Sequence, residues 1–184
     1  MNANNQEREI LTAQDIHRVM QRMAHQIWEK DFSGDLALIG IRKRGATLAA
    51  RLRPMIEAIA EHEIHFGVLD IGLYRDDIGR TAQIPELRST DIPFDIEGKD
   101  IVLIDDVLFT GRTVRAALNA LMDLGRPRRV QLLVLIDRGH RELPIQPDFV
   151  GEKIPAYMDE KIQLRLQEED GRDGVFVVPS QESA

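Results

Sequence analysis

The stretch Ile-Val-Leu-Ile-Asp-Asp-Val-Leu-Phe-Thr-Gly-Arg-Thr, residues 101–113, decides the fold of this chain and indicates its chemistry. Its first four residues are apolar, as in a buried parallel strand, and they end at two carboxylates, Asp105 and Asp106. The turn at 110–113 leads into a helix-forming run, so its amides and the positive end of the helix dipole favour a phosphate. Because adjacent carboxylates can accept hydrogen bonds from neighbouring ribose hydroxyls, the stretch predicts a site for a phosphorylated sugar. The alternative is a strand that ends in solvated acids and a Thr-Gly turn.

The composition suits one globular domain, 1–184, with a sizeable core, because 43% of its residues are hydrophobic and 30% are charged. No apolar run approaches the roughly 20 residues of a membrane span. Cysteine is absent, which excludes disulfides and thiolate chemistry. The net charge of −7 disfavours nucleic acid unless a local basic patch overcomes it. A cytoplasmic location fits these features.

Apolar runs and helical patterns alternate along the chain, which predicts an α/β fold with a parallel sheet flanked by helices. Residues 1–9 are polar, and a flexible tail is predicted over 1–11. Residues 73–95 hold few large apolar side chains, and so long a gap predicts a mobile lid loop. Short C-terminal strands near 162–166 and 175–178 predict a small hood subdomain. The main strands are predicted at 36–41, 64–71, 101–104 and 130–136, with helices over about 12–30, 45–59 and 113–124.

Charged clusters follow other predicted strands. Arg42, Lys43 and Arg44 lie between two glycines at the start of a helix, where they can hold pyrophosphate or form a basic surface turn. Arg75 opens the predicted lid, which can close over a charged intermediate and exclude water, although a solvated loop has the same pattern. Residues 137–141 follow a strand and are expected to line the base side of a ligand.

Three segments together resemble the pyrimidine operon attenuator proteins, which are uracil phosphoribosyltransferases that also regulate pyrimidine genes. The resemblance covers residues 12–166 and implies the type I phosphoribosyltransferase fold. The segments are Ile-Asp-Asp-Val-Leu-Phe-Thr-Gly-Arg-Thr-Val-Arg-Ala-Ala at 104–117, Leu-Tyr-Arg-Asp-Asp at 73–77, and Asp-Arg-Gly-His-Arg-Glu-Leu-Pro-Ile at 137–145.

The resemblance implies that uracil and phosphoribosyl pyrophosphate (PRPP) form UMP and pyrophosphate, with Mg²⁺ bound mainly through PRPP. It implies that Asp105 and Asp106 hold the ribose hydroxyls, that Arg75 closes the site, and that no protein side chain is a firm metal ligand. The implied substrate-binding residues are Lys43 and Arg44 for pyrophosphate, Val107, Leu108, Phe109, Thr110, Gly111, Arg112 and Thr113 for the 5′-phosphate, and Arg138 and Ile162 for the nucleotide.

The resemblance also implies binding to pyrimidine leader mRNA in the presence of UMP or UTP, through Arg22, His25 and Arg141. A homodimer or homotetramer is expected. The chain departs from the family pattern at four positions, three of which concern RNA. They are Gln21, Gln146 and Glu152, where the family commonly has threonine, arginine and lysine, and Lys43, where it more often has threonine.

Two alternatives remain at this level. The protein can be a phosphoribosyltransferase without an RNA-binding role, or it can act on another base, such as a purine. The run at 137–145 argues against a purine. A receiver-like signalling domain is disfavoured, because residues 36–44 end in cations where such a domain needs acids.

Overall fold

The computed structural model describes residues 7–30, 32, 35–74 and 90–180. These residues form two sheets, one of five strands and one of three. The strands are β1 (Arg8–Leu11), β2 (Leu36–Ile41), β3 (His65–Leu69), β4 (Asp100–Leu108), β5 (Arg129–Asp137), β6 (Phe149–Lys153), β7 (Glu160–Arg165) and β8 (Gly174–Pro179), and the helices are α1 (Ala13–Glu29), α2 (Arg44–Ala60), α3 (Arg112–Met122) and α4 (Gln167–Asp170), with a 3₁₀ turn at Gly72–Tyr74.

The larger sheet has the order β3-β2-β4-β5-β6, and all of its neighbouring strands are parallel. Alternate residues of β4 divide the core, since successive side chains of a strand point to opposite faces. Val102 and Ile104 belong to the cluster with α1 and α2, whereas Ile101 and Leu103 belong to the cluster with α3. The predicted parallel sheet flanked by helices is therefore confirmed.

Helix α1 begins at the capping box that its sequence contains. The Thr12 amide donates to the Asp15 carboxylate over 2.9 Å, and the Asp15 amide donates to the Thr12 hydroxyl. The Thr12 hydrogen bonds, together with Arg18, lower the pKa of Asp15 to about 2. The acid therefore stays ionised at neutral pH, where it favours the positive end of the helix.

The second sheet has the order β1-β8-β7, with antiparallel neighbours. The predicted flexible tail over 1–11 is wrong for Arg8–Leu11, because these residues pair with β8. Glu7 extends this attachment through ion pairs with Arg165 and Arg172. The second sheet thus combines β1 with the two C-terminal strands.

Ion pairs connect α2 to the segment between β7 and β8. The Arg44 guanidinium binds the Asp170 carboxylate over 2.7 Å, and Arg51 binds both Glu168 and Asp173. Because Arg44 is the first residue of α2, these contacts hold the smaller sheet beside the carboxyl ends of the parallel strands.

The predicted lid, 73–95, is anchored at both of its described ends. The Tyr74 hydroxyl donates to Asp123 over 2.6 Å, and the Val68 amide donates to the Asp91 carbonyl over 2.7 Å. Residues 75–89, which include Arg75, lie outside the described residues. The lid itself and the role of Arg75 therefore stay predictions.

Candidate functional site

The acid pair lies within β4, which ends four residues beyond the predicted end of that strand. Asp105 is paired in register with Val134, and the strand continues to Leu108. Asp105 is only 5% exposed, and its Oδ1 accepts the Asp106 amide over 3.0 Å. Asp106 is half-buried and lines a cavity. The two acids are thus unequal: Asp105 is buried in the sheet, and Asp106 faces the space where a ligand fits.

The turn after β4 has the geometry that the sequence predicts for a phosphate loop. Gly111 caps α3 in the left-handed conformation, with φ of 91°, which favours glycine. The Arg112 amide is directed toward the Thr110 hydroxyl at 3.4 Å, and the other first-turn amides have no partner within the helix. These donors make the turn suitable for an anion.

Arg112 spans from this turn to the loop that follows β5. Its guanidinium binds the Glu142 carboxylate over 2.7 Å, and both side chains are about half exposed. An exposed pair of this kind contributes only about 0–1 kcal/mol, so an incoming phosphate can compete for the arginine. Arg112 therefore stays a predicted substrate ligand.

A cavity of about 250 Å³ joins segments that are far apart in sequence. It brings together the turn at residues 42–44 (the basic turn), strand β4 with its acid pair (the acid strand), the loop after β5 and strand β7. Lys161 and Gln163 of β7 also line it, although no sequence motif marks either residue. The lining residues are Arg44, Asp106, Val107, Phe109, Arg138, Lys161, Ile162, Gln163 and Leu164.

Arg138 forms one wall of this cavity. It is only 6% exposed, and its guanidinium lies 3.8 Å from the centre of the Phe109 ring. One terminal nitrogen donates to the carbonyls of Tyr157 and Glu160, over 3.1 and 2.6 Å. Burial lowers the pKa of Arg138, and the nearby Glu160 charge opposes this shift. The Nε of Arg138 is buried without a hydrogen-bond partner among the described residues.

The basic turn packs directly against the acid strand. Lys43 is exposed at the amino end of α2, and the Arg42–Lys43 peptide bond is cis. A Cβ atom on Gly45 would lie only 2.4 Å from the Ile104 carbonyl oxygen, so glycine permits this close approach. The Asp170 hydrogen bond raises the pKa of Arg44, and burial opposes the rise.

The three predicted RNA-binding residues lie in different surroundings. Arg22 and His25 are exposed on α1. Arg22 already forms an ion pair: its guanidinium binds the Glu152 carboxylate of β6 over 3.0 Å and also the Gly151 carbonyl. Arg141 is partly buried, and its guanidinium points into the site loops. The structure therefore brings Arg22 and His25 onto one open face and directs Arg141 inward.

Within the described ranges, no group of three or more histidine or acidic residues could hold a metal ion. Two adjacent carboxylates remain: Asp106 lines the cavity, and Asp105 is buried in the sheet beside it. This donor set fits Mg²⁺, which commonly uses one or two carboxylates, several waters and the phosphates of a substrate. None of the helices in the described part of the chain has the length and apolar character needed to cross a bilayer.

Comparisons with known proteins show the family to which this chain belongs. The phosphoribosyl transferase domain family matches residues 6–166. The bifunctional protein PyrR of Roseiflexus sp. is 57% identical over 174 residues, which cover 94% of this chain and 95% of the relative. The bifunctional protein PyrR of Chloroflexus aurantiacus is 53% identical, with coverage of 94% and 95%.

A solved hypoxanthine phosphoribosyltransferase from Staphylococcus aureus superposes with a TM-score of 0.70 over 99% of both chains. A hypoxanthine-guanine phosphoribosyltransferase from Bacillus anthracis gives 0.71, over 93% of this chain and 97% of that one. These structures are 22% and 17% identical to the chain, so they show the fold alone. The family model and the curated relatives show more: the chain belongs to the phosphoribosyl transferase family and, within it, to the bifunctional PyrR proteins.

Proposed function

We propose that the protein is a uracil phosphoribosyltransferase that also binds pyrimidine leader mRNA when UMP or UTP is present. The observation that carries this proposal is the cavity in which Asp106, Arg44, Arg138 and Ile162 meet, in a chain of the bifunctional PyrR group. The enzyme converts uracil and PRPP into UMP and pyrophosphate. Its action on leader mRNA places it in the cytoplasm, where such transcripts are made.

The ribose and its 5′-phosphate occupy the region between β4 and α3. Asp106 accepts hydrogen bonds from the ribose hydroxyls, and Asp105 supports it from within the sheet. The amides of 110–113, at the positive end of α3, receive the 5′-phosphate, and the hydroxyls of Thr110 and Thr113 add donors. The backbone between the acid pair and this turn consists of Val107, Leu108 and Phe109.

Pyrophosphate leaves toward the basic turn at the amino end of α2. Cleavage at C1′ gives the ribose an oxocarbenium-like character and puts negative charge on the leaving oxygen. Lys43 and the first amides of α2 stabilise that charge, and Arg44 can exchange Asp170 for phosphate oxygens. Arg75 belongs to the lid that excludes water during this step.

Bound Mg²⁺ neutralises part of the diphosphate charge. The acid pair is the part of the described chain that would hold it, in a shell completed by PRPP oxygens and water. The chain's own task is to orient PRPP, and the fixed positions of Asp106 and the 110–113 amides serve that purpose.

The base fits against the wall made by Arg138, Phe109 and Ile162. Uracil presents two carbonyl oxygens, and the unpaired Arg138 Nε–H is a donor for one of them. A pyrimidine ring is the smaller of the two base classes. Cavity volume does not decide between them, because the cavity of about 250 Å³ shares Phe109, Arg138, Lys161 and Gln163 with an adjoining cavity of about 980 Å³.

Base choice is tested by competition. Purified protein with Mg²⁺, PRPP and an equal mixture of uracil, hypoxanthine and orotate is expected to yield UMP as the main product, measured by separation of the nucleotides. IMP or orotidylate as the main product would contradict uracil specificity. No nucleotide product at all would contradict the enzyme.

RNA binding is the second proposed activity, and the exposed α1 face with Arg22 and His25 supports it. Glu152 of β6 opposes this activity, because it pairs with Arg22 and adds negative charge beside the position of an RNA phosphate. The RNA must displace this carboxylate from Arg22, so the chain is expected to bind more weakly than it would without the acid.

Replacing Glu152 with Gln is expected to strengthen UMP-dependent binding to leader RNA about 1.4- to fivefold, because an exposed ion pair contributes about 0.2–1 kcal/mol. The logarithmic salt dependence should steepen by up to about 0.7 to 0.9, since no displaced carboxylate then takes up a cation when Arg22 binds the RNA phosphate. Filter binding at several salt concentrations measures both quantities.

Glu63→Gln is the matched control, because it removes the same charge beside β3, at the opposite edge of the sheet from β6. It should leave RNA affinity and salt dependence unchanged. Equal effects of the two variants would show that only net charge matters, and absence of a UMP-dependent shift in every variant would remove the RNA role.

A further inference from the structure

We infer that Arg141 is a positioning residue of the nucleotide site and not an RNA ligand, an inference that rests on the proposed transferase function. The resemblance implied an RNA contact for this residue. Its guanidinium instead makes five hydrogen bonds, all within the loops that build the site.

The partners of Arg141 come from two segments. From the end of β4, the carbonyls of Leu108 and Phe109 accept from one terminal nitrogen, at 3.4 and 3.0 Å. From the loop after β5, the same nitrogen lies 3.2 Å from the Gly139 carbonyl, and Nε donates to the Ile145 carbonyl over 3.0 Å. The guanidinium therefore joins the acid strand to the loop on the base side.

An ion pair also holds Arg141 in place. Its other terminal nitrogen binds the Asp137 carboxylate over 2.7 Å, and the two side chains are only 19% and 12% exposed. An RNA phosphate would have to replace a charged partner and several carbonyls at once. Those carbonyls would then lose their donor in a partly buried place, which is costly.

The segment that Arg141 holds is the one that carries the proposed phosphate and base contacts. Phe109, whose carbonyl it binds, stacks on Arg138 and is followed directly by Thr110. The Thr110 carbonyl accepts the amides of Glu142 and Leu143, at 3.0 and 3.1 Å. Without the guanidinium, the hydrogen bonds and ion pairs given for the described residues that join the strand end to the loop are these two, the Arg138 amide to the Leu108 carbonyl at 3.0 Å, and the exposed Arg112–Glu142 pair.

Arg22 provides the contrast. Its side chain is 45% exposed, and it faces out from α1, where a phosphate can approach without disturbing the core. The two arginines are therefore expected to give opposite results in the same assays. Loss of Arg22 should change RNA affinity and its salt dependence, and loss of Arg141 should change nucleotide binding.

The test is Arg141→Gln, with PRPP kinetics, UMP titration calorimetry and RNA binding at saturating UMP. We expect the KM for PRPP and the Kd for UMP to rise together by about tenfold, since a shift of about 1 Å in a positioned group can cost as much as about 100-fold. The salt dependence of RNA binding should stay that of the unaltered protein, because the number of phosphate contacts is the same.

Arg141→Lys serves as the second variant. It keeps the positive charge and the ion pair with Asp137, but a single ammonium group cannot reach acceptors on both segments as the guanidinium fork does. It should therefore fold and still show the raised KM and Kd. Arg53→Gln is the control, because Arg53 forms an ion pair with the same i,i+4 spacing, with Glu57 on α2.

Two results would overturn the inference. Unchanged KM and Kd, with a salt dependence shallower by about 0.7 to 0.9, would make Arg141 an RNA ligand. A lower kcat and melting temperature with unchanged KM and Kd would make its role purely structural, because fewer active molecules lower kcat alone.

Discussion

Asp106→Asn is expected to lower kcat/KM for PRPP about 100-fold while the protein stays folded. The carboxylate lines the cavity, and hydrogen bonds to a charged group contribute about 1.5–3 kcal/mol each. Asparagine keeps the shape of the side chain but loses the charge that stabilises a positive ribose in the transition state. Because Asp106 is only half-buried, the fold does not depend on that charge.

Initial rates with PRPP and uracil measure the effect, and urea unfolding checks the fold. Asp95→Asn is the matched control. Asp95 is exposed and lies five residues before the first residue of β4, and its Oδ1 accepts the Glu97 amide, as an asparagine oxygen also can. If Asp106→Asn were as active as this control, the ribose assignment would be wrong. Asp105→Asn should lower both turnover and stability, since Asp105 is buried in the sheet.

The central part of the site could be predicted because its signal is local. Residues 101–113 contain the strand, the acids, the glycine turn and the helix start within one short stretch, and the structure has all four in that order. Only the strand end was placed too early. Carboxylates usually end a buried strand in sequence patterns, whereas here β4 continues through them to Leu108.

The missed elements depend on partners far away in sequence. β1 is polar at Arg8 and Glu9, and it is ordered by β8, whose residues lie more than 160 positions later. Strand β6 has the residues Phe-Val-Gly-Glu-Lys, which carry little hydrophobic periodicity, and its pairing with β5 defines it. No local pattern contains that information.

Side-chain pairing was likewise not visible from the sequence. Arg22 and Glu152 lie 130 residues apart, and Arg44 and Asp170 lie 126 apart, yet each pair is in contact. A cation that looks available for phosphate in sequence is thus already bound to an acid in the fold. The proposed phosphate contacts therefore include an exchange of one anion for another, which lowers their net gain.

Gly45→Ala is expected to weaken PRPP binding strongly, because it would force the basic turn away from the acid strand. A Cβ atom on residue 45 would lie 2.4 Å from the Ile104 carbonyl oxygen and 3.2 Å from the Asp105 Cα. Both neighbours are backbone of a buried strand, so neither can move aside cheaply. The clash should cost about 1–3 kcal/mol of stability, although alanine is the better helix former.

The loss of kcat/KM for PRPP, expressed as a free energy, should exceed the loss of unfolding free energy. Lys43 and Arg44 would move with the turn and would no longer lie opposite the acid pair. Ala50→Gly on the exposed face of the same helix is the control: it should cost about 1 kcal/mol of stability through helix propensity and leave the KM for PRPP unchanged. Urea unfolding and PRPP kinetics on both variants separate the two effects. An unchanged KM for PRPP in Gly45→Ala would mean that the turn does not bind pyrophosphate from its present position, and the leaving-group site would have to lie elsewhere.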